Sequence, residues 1–349
     1  MNRKQYRERR KKKRRLKKIP VIITVIVLMF VGYGSYLAYQ TLQAASDSYD
    51  DLGREKSELR DKEVTISNDP VSILIMGVED YASEYDRGRT DTLMVATFNP
   101  DDKRLQLLSI PRDTKVEIVG KDMVDKINHA YAYGGKEMTI ETVENFLDIP
   151  IDYYATVNFE AFKNIVDILG GITVDVPFDF EQNSDDRVAE KLQFYEGEME
   201  LDGRHALAYA RMRMSDPLGD IGRNQRQQQV IKAIIDKALS PGTVTKIDDL
   251  VNEVGRNVET NMRISEGLAF LKKYSDFDVS NIEQIKLETH SEMINGIHYQ
   301  VPNYDSLEEV KYKLKAHLEL PAVKPPTMVE DEETDTTYEA EYDYESTLE

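Results

Sequence analysis

Residues 70–113 read PVSILIMGVEDYASEYDRGRTDTLMVATFNPDDKRLQLLSIPRD. Three short apolar runs stand out: Val71–Gly77, Thr92–Phe98 and Arg104–Ile110. Their length and content of β formers predict buried strands. Turn chemistry bounds them. Gly77 ends the first, Asn99-Pro100-Asp101-Asp102 separates the second from the third, and Pro111 closes the third. Charge collects between and beyond the strands. Glu79, Asp80, Arg87, Arg89 and Asp91 lie in or beside the first connection, and Arg112-Asp113 follows the third run.

Downstream, strand and helix patterns alternate. Asp125–Tyr133 (DKINHAYAY) is predicted as a short helix stopped by Gly134-Gly135, and Glu137–Leu147 as an amphipathic helix. Tyr153–Val157 and Ile172–Val176 are predicted strands, with a helix over Phe159–Leu169 between them. Residues 181–196 are polar and read as a loop. Asp202 can cap a short helix over Gly203–Ala210. A long helix runs from Arg223 to Leu239, broken by Ser240-Pro241-Gly242. Helices near 246–256 and 265–274, a strand at Ile282–Leu287 and a helix near Ser306–His317 complete the body. The expected class is α/β: an α/β/α sandwich with a central mixed sheet.

The densest charge pattern is LAYARMRMSDPLGDIGRNQRQQQV, residues 207–230. It packs Arg211, Arg213, Arg223 and Arg226 into sixteen residues, with Asp216 and Asp220 between them. On the long helix, Arg223 and Gln227 fall on the same stripe as Val230, Ile231 and Ile234. That helix is therefore cationic where it begins and apolar where it enters a core. A helix start attracts anions through its free N–H groups and dipole. A pocket for phosphate or pyrophosphate is one reading. Surface arginines paired with neighbouring carboxylates are the other.

The chain has 349 residues and a formal charge of -19, unevenly spread. Residues 1–18 carry twelve Lys or Arg against Glu8 alone, a local +11, which leaves -30 elsewhere. So acidic a body argues against a nucleic-acid-binding domain, which would need a basic face. There is no Cys, hence no disulfide and no thiol chemistry. Among five histidines no Ser-His-Asp set or zinc-type His pair is evident. Ile19–Tyr39 is uncharged and apolar. As a helix it would span about 31 Å, close to bilayer hydrocarbon thickness. The organisation expected is a basic cytoplasmic head at 1–18, a transmembrane helix at 19–39, a polar extracytoplasmic stalk at 40–69, a folded domain at 70–319 and an acidic disordered tail at 320–349. The run exceeds a usual signal core, which favours an uncleaved anchor in the cytoplasmic membrane, with the C-terminal body extracellular.

Six motifs then carry a resemblance. GRTDTL at 88–93, LLSIPRDT at 107–114, DKINHAYAYGG at 125–135, VDILGGITVDV at 166–176, LDGRHALAYARMR at 201–213 and GDIGRNQRQQQ at 219–229 occur in order over residues 70–240. Together they resemble the LytR-CpsA-Psr family, and within it the teichoic acid transferases of Gram-positive bacteria.

The resemblance implies a phosphotransferase that moves a glycopolymer, wall teichoic acid by default, from a polyprenyl-pyrophosphate carrier to peptidoglycan. A phosphodiester forms and lipid monophosphate leaves. The polyprenyl chain would occupy an apolar tunnel. By motif position, Arg89, Arg112, Arg211, Arg213 and Arg223 would bind the pyrophosphate, with Gln227 beside them and Asp220 orienting the arginines. Asp91, Arg89 and Arg112 are the candidate catalytic residues. Mg²⁺ is the implied cofactor, on Asp91 with Glu79 or Asp80 as a second acid; the Gly77-Val78-Glu79-Asp80 sequence departs from the family's Gly-Val-Asp. Arg226, Arg87 and Lys126 read as rim or structural residues, and His129 as a pocket or packing residue. A protein that captures polyprenyl pyrophosphate without turnover, as a regulator or attenuator, is the alternative expectation.

Overall fold

The computed structural model describes residues 49–78, 88–184, 191–274 and 277–328. The expected head, the anchor at 19–39, the start of the stalk and most of the tail lie outside the described residues. Among those that are described, no helix is long and apolar enough to cross a membrane.

The three opening runs become β1 (Val71–Val78), β2 (Thr90–Asn99) and β3 (Arg104–Ile110), which pair antiparallel in sequence order. They form the middle of a six-stranded sheet. β4 (Lys115–Ile118) and β5 (Met123–Lys126) make a separate hairpin beyond β3. β6 (Tyr153–Asn158) adds parallel to β1. At the edges, β11 (Val258–Thr260) pairs antiparallel with β6, and β12 (Ile282–Ile285) pairs parallel with β3. The sheet order is β11-β6-β1-β2-β3-β12, a mixed sheet as expected.

Strand alternation decides which helix covers which face. Leu74 and Met76 of β1 point into one core with Ile140, Val143 and Leu147 of α1 (His129–Leu147) and Val310 and Leu314 of the last helix. Ile73 and Ile75 point the other way, toward Met94, Ala96 and Leu107 and toward Ile231 and Ile235 of the long helix. Beside that face, α2 (Phe159–Leu169), β7 (Ile172–Val176), β8 (Phe180–Asn183), β9 (Lys191–Phe194), β10 (Gly197–Leu201), α3 (Gly203–Arg211) and the long helix α4 (Asp220–Leu239) enclose another core. Phe180 and Phe194 stack there at 4.5 Å between ring centroids. Gly203 allows the α2–α3 contact, because a Cβ at that position would collide with the backbone carbonyl of Lys163. α5 (Ile247–Asn257), α6 (Ile264–Lys273), the hairpin of β13 (Thr289–Ile294) and β14 (Ile297–Pro302), and α7 (Tyr304–His317) follow.

Local chemistry explains the accurate boundaries. The Asp202 side chain accepts from His205 N at 2.8 Å and starts α3. Gly170, at φ 86°, ends α2 in the left-handed conformation. Three expectations change. The two helices predicted around Gly134-Gly135 form one element, kinked at Gly135 (φ 71°, ψ -157°). The predicted loop at 181–196 holds most of β8 and all of β9, whose outward residues are polar and mask the pattern. Residues 49–69, expected as the outer stalk, lie against the body. Arg60 is 7% exposed and bridges buried Asp152 at 2.6 Å, and Arg54 bridges Glu144 at 2.9 Å.

α7 is fastened to β2 by a buried imidazole. His317 Nδ1 lies 2.7 Å from Thr97 Oγ1. Burial lowers its pKa below the usual 6.5; Asp102 and Glu283 oppose the shift, and Arg104 adds to it. With the folded pKa depressed, the unfolded chain binds the proton more readily, so stability is full above about pH 6.5 and is lost as pH falls below it. His317→Gln keeps a hydrogen-bonding group and cannot take the charge. Thermal melts at pH 7.5 and 5.5 are expected to show a smaller drop in Tm for this variant than for the parent chain; equal drops would contradict this account.

Candidate active site

At the end of β1, the register with β2 slips by one residue. Gly77 opposes Thr92, while Val78 opposes Thr90, leaving Asp91 as the extra residue of a bulge. In a regular strand Asp91 and Thr92 would face opposite sides of the sheet. Here both line one cavity of about 280 Å³. Gly77 makes the approach possible, since a Cβ there would sit 3.0 Å from Thr92 Cβ.

The cavity lies between the sheet and α2, α3 and α4. Ile75, Val157, Phe162, Leu207, Val230 and Ile231 give it apolar walls. Asp91, Arg112, Arg211, Arg213, Arg223 and Gln227 also line it. Arg112 Nη1 donates to Asp91 Oδ1 at 2.5 Å. Arg211, in the last turn of α3, lies 4.4 Å from the ring centre of Phe159, a cation–π contact that fixes the guanidinium. Arg223 and Gln227 stand one turn apart on α4, 7% and 9% exposed.

A second arginine layer holds this arrangement. Arg226 Nε donates to Tyr209 O at 3.1 Å, Nη2 to Met212 O, and Nη1 to Asp216. Both side chains of the Arg226–Asp216 pair are 3% exposed. Asp216 also caps its own turn, accepting from Leu218 N at 2.7 Å. Gly222 makes room, because a Cβ there would overlap the Asp216 carboxylate. By gripping the carbonyl of Met212, Arg226 fixes the backbone between Arg211 and Arg213. Tyr209 beneath it donates to Gln229 Oε1 at 2.6 Å, and burial pushes its phenol up to about 12.

Residues 35–316 match the LytR_cpsA_psr family. The chain belongs to this family.

TagV of Bacillus subtilis, named a polyisoprenyl-teichoic acid–peptidoglycan teichoic acid transferase, is 47% identical over 298 residues, covering 84% of this chain and 76% of TagV. The TagU transferase of the same organism is 43% identical over 289 residues, 82% of this chain and 90% of TagU. The crystal structure of B. subtilis TagV covers 73% of this chain and all of its own at a TM-score of 0.67 and 46% identity. TagT bound to LIIa-WTA covers 78% of this chain and all of its own at 0.65 and 34%.

Six of the residues expected from the LytR_cpsA_psr motifs thus meet in one cavity: Asp91, Arg112, Arg211, Arg213, Arg223 and Gln227. Arg89 is exposed just before β2 and does not line it. Asp220 opens α4, but its side chain lies outside the described residues, as do Glu79, Asp80 and Arg87 entirely. Lys126 pairs with Asp113 at 3.0 Å. His129 Nδ1 lies 2.7 Å from Asp125 Oδ2, which also accepts from Tyr133 at 2.6 Å. Burial works to raise the Asp125 pKa, but bonds from Tyr133, His129 and Lys126 N outweigh it and hold the carboxyl below its ordinary value. Sequence reasoning missed the clamp role of Asp216 and the Phe159 contact. The Asp216-Pro217 turn signal was present; nothing local marks Phe159.

For a metal, no group of three or more His, Cys, Asp or Glu among the described residues forms a cage. Asp91 is the one carboxylate among the described cavity-lining residues. Magnesium binds through one or two carboxylates completed by water and substrate phosphates. This donor set therefore fits an ion shared with a diphosphate.

Removing one partner of a buried ion pair leaves the other charge uncompensated, at about 3–5 kcal/mol. Asp216→Ala is expected to cost that much in urea unfolding followed by far-UV circular dichroism, which suits a chain without Trp. Asp91→Ala, at a partly exposed pair, should cost about 1 kcal/mol or less. Similar losses in both would remove the case for the clamp.

Proposed function

We propose that this protein is a membrane-anchored phosphotransferase that moves a glycopolymer, wall teichoic acid, from a polyprenyl-pyrophosphate carrier to peptidoglycan. One observation carries the reading: a single cavity has apolar walls and also four arginines with Asp91. A polyprenyl diphosphate has the same two halves. The names of the TagV and TagU relatives support the same substrate pair.

In the transfer, a peptidoglycan hydroxyl oxygen bonds to the phosphorus attached to the glycan. The bond from that phosphorus to the bridging oxygen breaks, lipid monophosphate leaves, and the hydroxyl proton passes to a base or to water. Arg112, Arg211, Arg213 and Arg223 neutralise the diphosphate oxygens and hold it in line. Charge growing on the bridging oxygen meets guanidinium groups already fixed by Phe159 and the Arg226 clamp, so little reorganisation is needed. Gln227 donates or accepts through its amide beside Arg223. Asp91 would hold Mg²⁺, with Glu79 or Asp80 as a second acid, and the ion would supply further positive charge to the diphosphate. Arg89 would meet the glycan-side phosphate from outside, and Asp220 would orient the arginines. The apolar walls, Val230 and Ile231 among them, exclude water from the lipid.

The basic head at 1–18 and apolar run at 19–39 support a single anchor with a cytoplasmic N-terminus and an extracellular body. Protease added to intact cells should then trim the acidic tail at 320–349; cleavage only in broken cells would reverse the topology.

Incubation of the purified protein with lipid-linked glycan, peptidoglycan oligomer and Mg²⁺ should release lipid monophosphate. Binding without release would leave a lipid-capturing protein. Arg223→Ala should lower the rate by about 10²–10³-fold, and Arg89→Ala by less. Asp91→Asn should raise the Mg²⁺ concentration needed for half-maximal rate; an unchanged requirement would move the metal elsewhere.

A further inference from the structure

A second cleft, of about 440 Å³, lies on another side of α4. Its sides are the end of β3, the flank of α4 bearing Asn224 and Gln228, and the segment leading from β12 into β13. Its size falls within the usual range for small-molecule sites. The cavity and the cleft share two walls. On α4, Arg223 and Gln227 face the cationic cavity, whereas Asn224 and Gln228, each one residue further around the helix, face the cleft. After β3, Arg112 lines the cavity and Pro111 lines the cleft. The cleft therefore adjoins the arginines that would hold the diphosphate.

Its chemistry differs from that of the cavity. Ser109, Asn224, Gln225, Gln228, Gln284 and Thr289 supply amides and hydroxyls, while Pro111, Ile285 and Leu287 supply apolar surface. Among the described residues no arginine lines it, and the exposed Lys286 lies 3.6 Å from Glu288, which offsets its charge. Ser109 makes the site specific. It is 8% exposed, and its hydroxyl has no hydrogen-bond partner among the described residues. Buried hydroxyls in folded proteins are nearly always paired. Strand alternation puts Ser109 on the face of Leu107, toward α4. Among the described residues Gln228, 6% exposed, donates to the Leu107 carbonyl alone, at 3.5 Å, leaving its amide oxygen for another partner.

We infer that this cleft is a subsite for an N-acetylated sugar of a glycan chain, next to the phosphate being transferred. Paired amides match the hydroxyls and acetamido group of such a sugar, and the Pro111–Leu287 surface matches its C–H face and acetyl methyl. The assignment of the sugar to a reaction rests on the proposed function. Two glycans then meet at the phosphate, the donor's and the acceptor's, and both present this chemistry.

The test uses the full chain in detergent and a β-1,4-linked N-acetylglucosamine tetramer carrying a photoreactive diazirine. Labelled peptides should map to residues 224–228 or 284–289, and unmodified tetramer should compete. Asn224→Ala and Gln284→Ala change accessible side chains and should leave the unfolding midpoint in place while lowering labelling several-fold. Ser109→Ala, which removes only the hydroxyl, should do the same. In turnover assays, a roughly tenfold rise in KM for the peptidoglycan oligomer with kcat unchanged places the acceptor sugar here; a rise in KM for the lipid-linked donor places the donor sugar. Labelling outside these segments, or folded variants that leave labelling and both KM values unchanged, would overturn the subsite. Labelling needs no turnover, so a labelled cleft in a protein that releases no lipid phosphate would keep the subsite and remove the transferase reading.

Discussion

The buried pair between Arg226 and Asp216 is the interaction on which the site depends. One guanidinium ties the long helix α4 to the Tyr209 and Met212 carbonyls and to a turn built on Asp216. A charge pair this deeply buried is weak evidence for net stability, because desolvation opposes the Coulomb gain. Its effect is geometric. It fixes the short segment carrying Arg211 and Arg213, so that two cations which would otherwise repel each other stay directed at one volume. The energy that places like charges together comes from the fold.

α4 joins three environments. Val230 and the neighbouring apolar residues anchor it in the core, Arg223 and Gln227 serve the cationic cavity, and Asn224 and Gln228 serve the neutral cleft. A helix can do this because adjacent residues point about 100° apart. The first turns of one rigid element thus hold a cationic surface and an amide-lined surface in fixed relation. The bulge at Gly77 does the equivalent work on the sheet, turning Asp91 toward the same cavity as Thr92.

Much of the fold was legible in the sequence. The apolar runs of β1 to β3, the Asp202 cap of α3 and the Gly170 stop of α2 carry their structure locally, and all three formed as read. The hairpin β8–β9 was hidden because its strands are four residues each and carry only Phe180, Leu192 and Phe194 as apolar residues. The segment at 49–69 was read as stalk because its anchoring residues are Arg54 and Arg60, whose ion-pair partners lie about ninety residues away.

For the site, sequence determined the residue types: arginines before and within the start of a helix, an aspartate beside the first connection, and an amphipathic stripe behind them. Chemical type and helical period are local properties, so one chain in order suffices to read them. Only the tertiary structure decided which of these groups meet. It brought Asp91 against Arg112, set Arg211 on Phe159, withdrew Arg226 into the clamp, and separated the amide flank of α4 from its cationic one. Those outcomes follow from a one-residue slip in strand register and from packing between distant elements, neither of which is written in the spacing of any single motif.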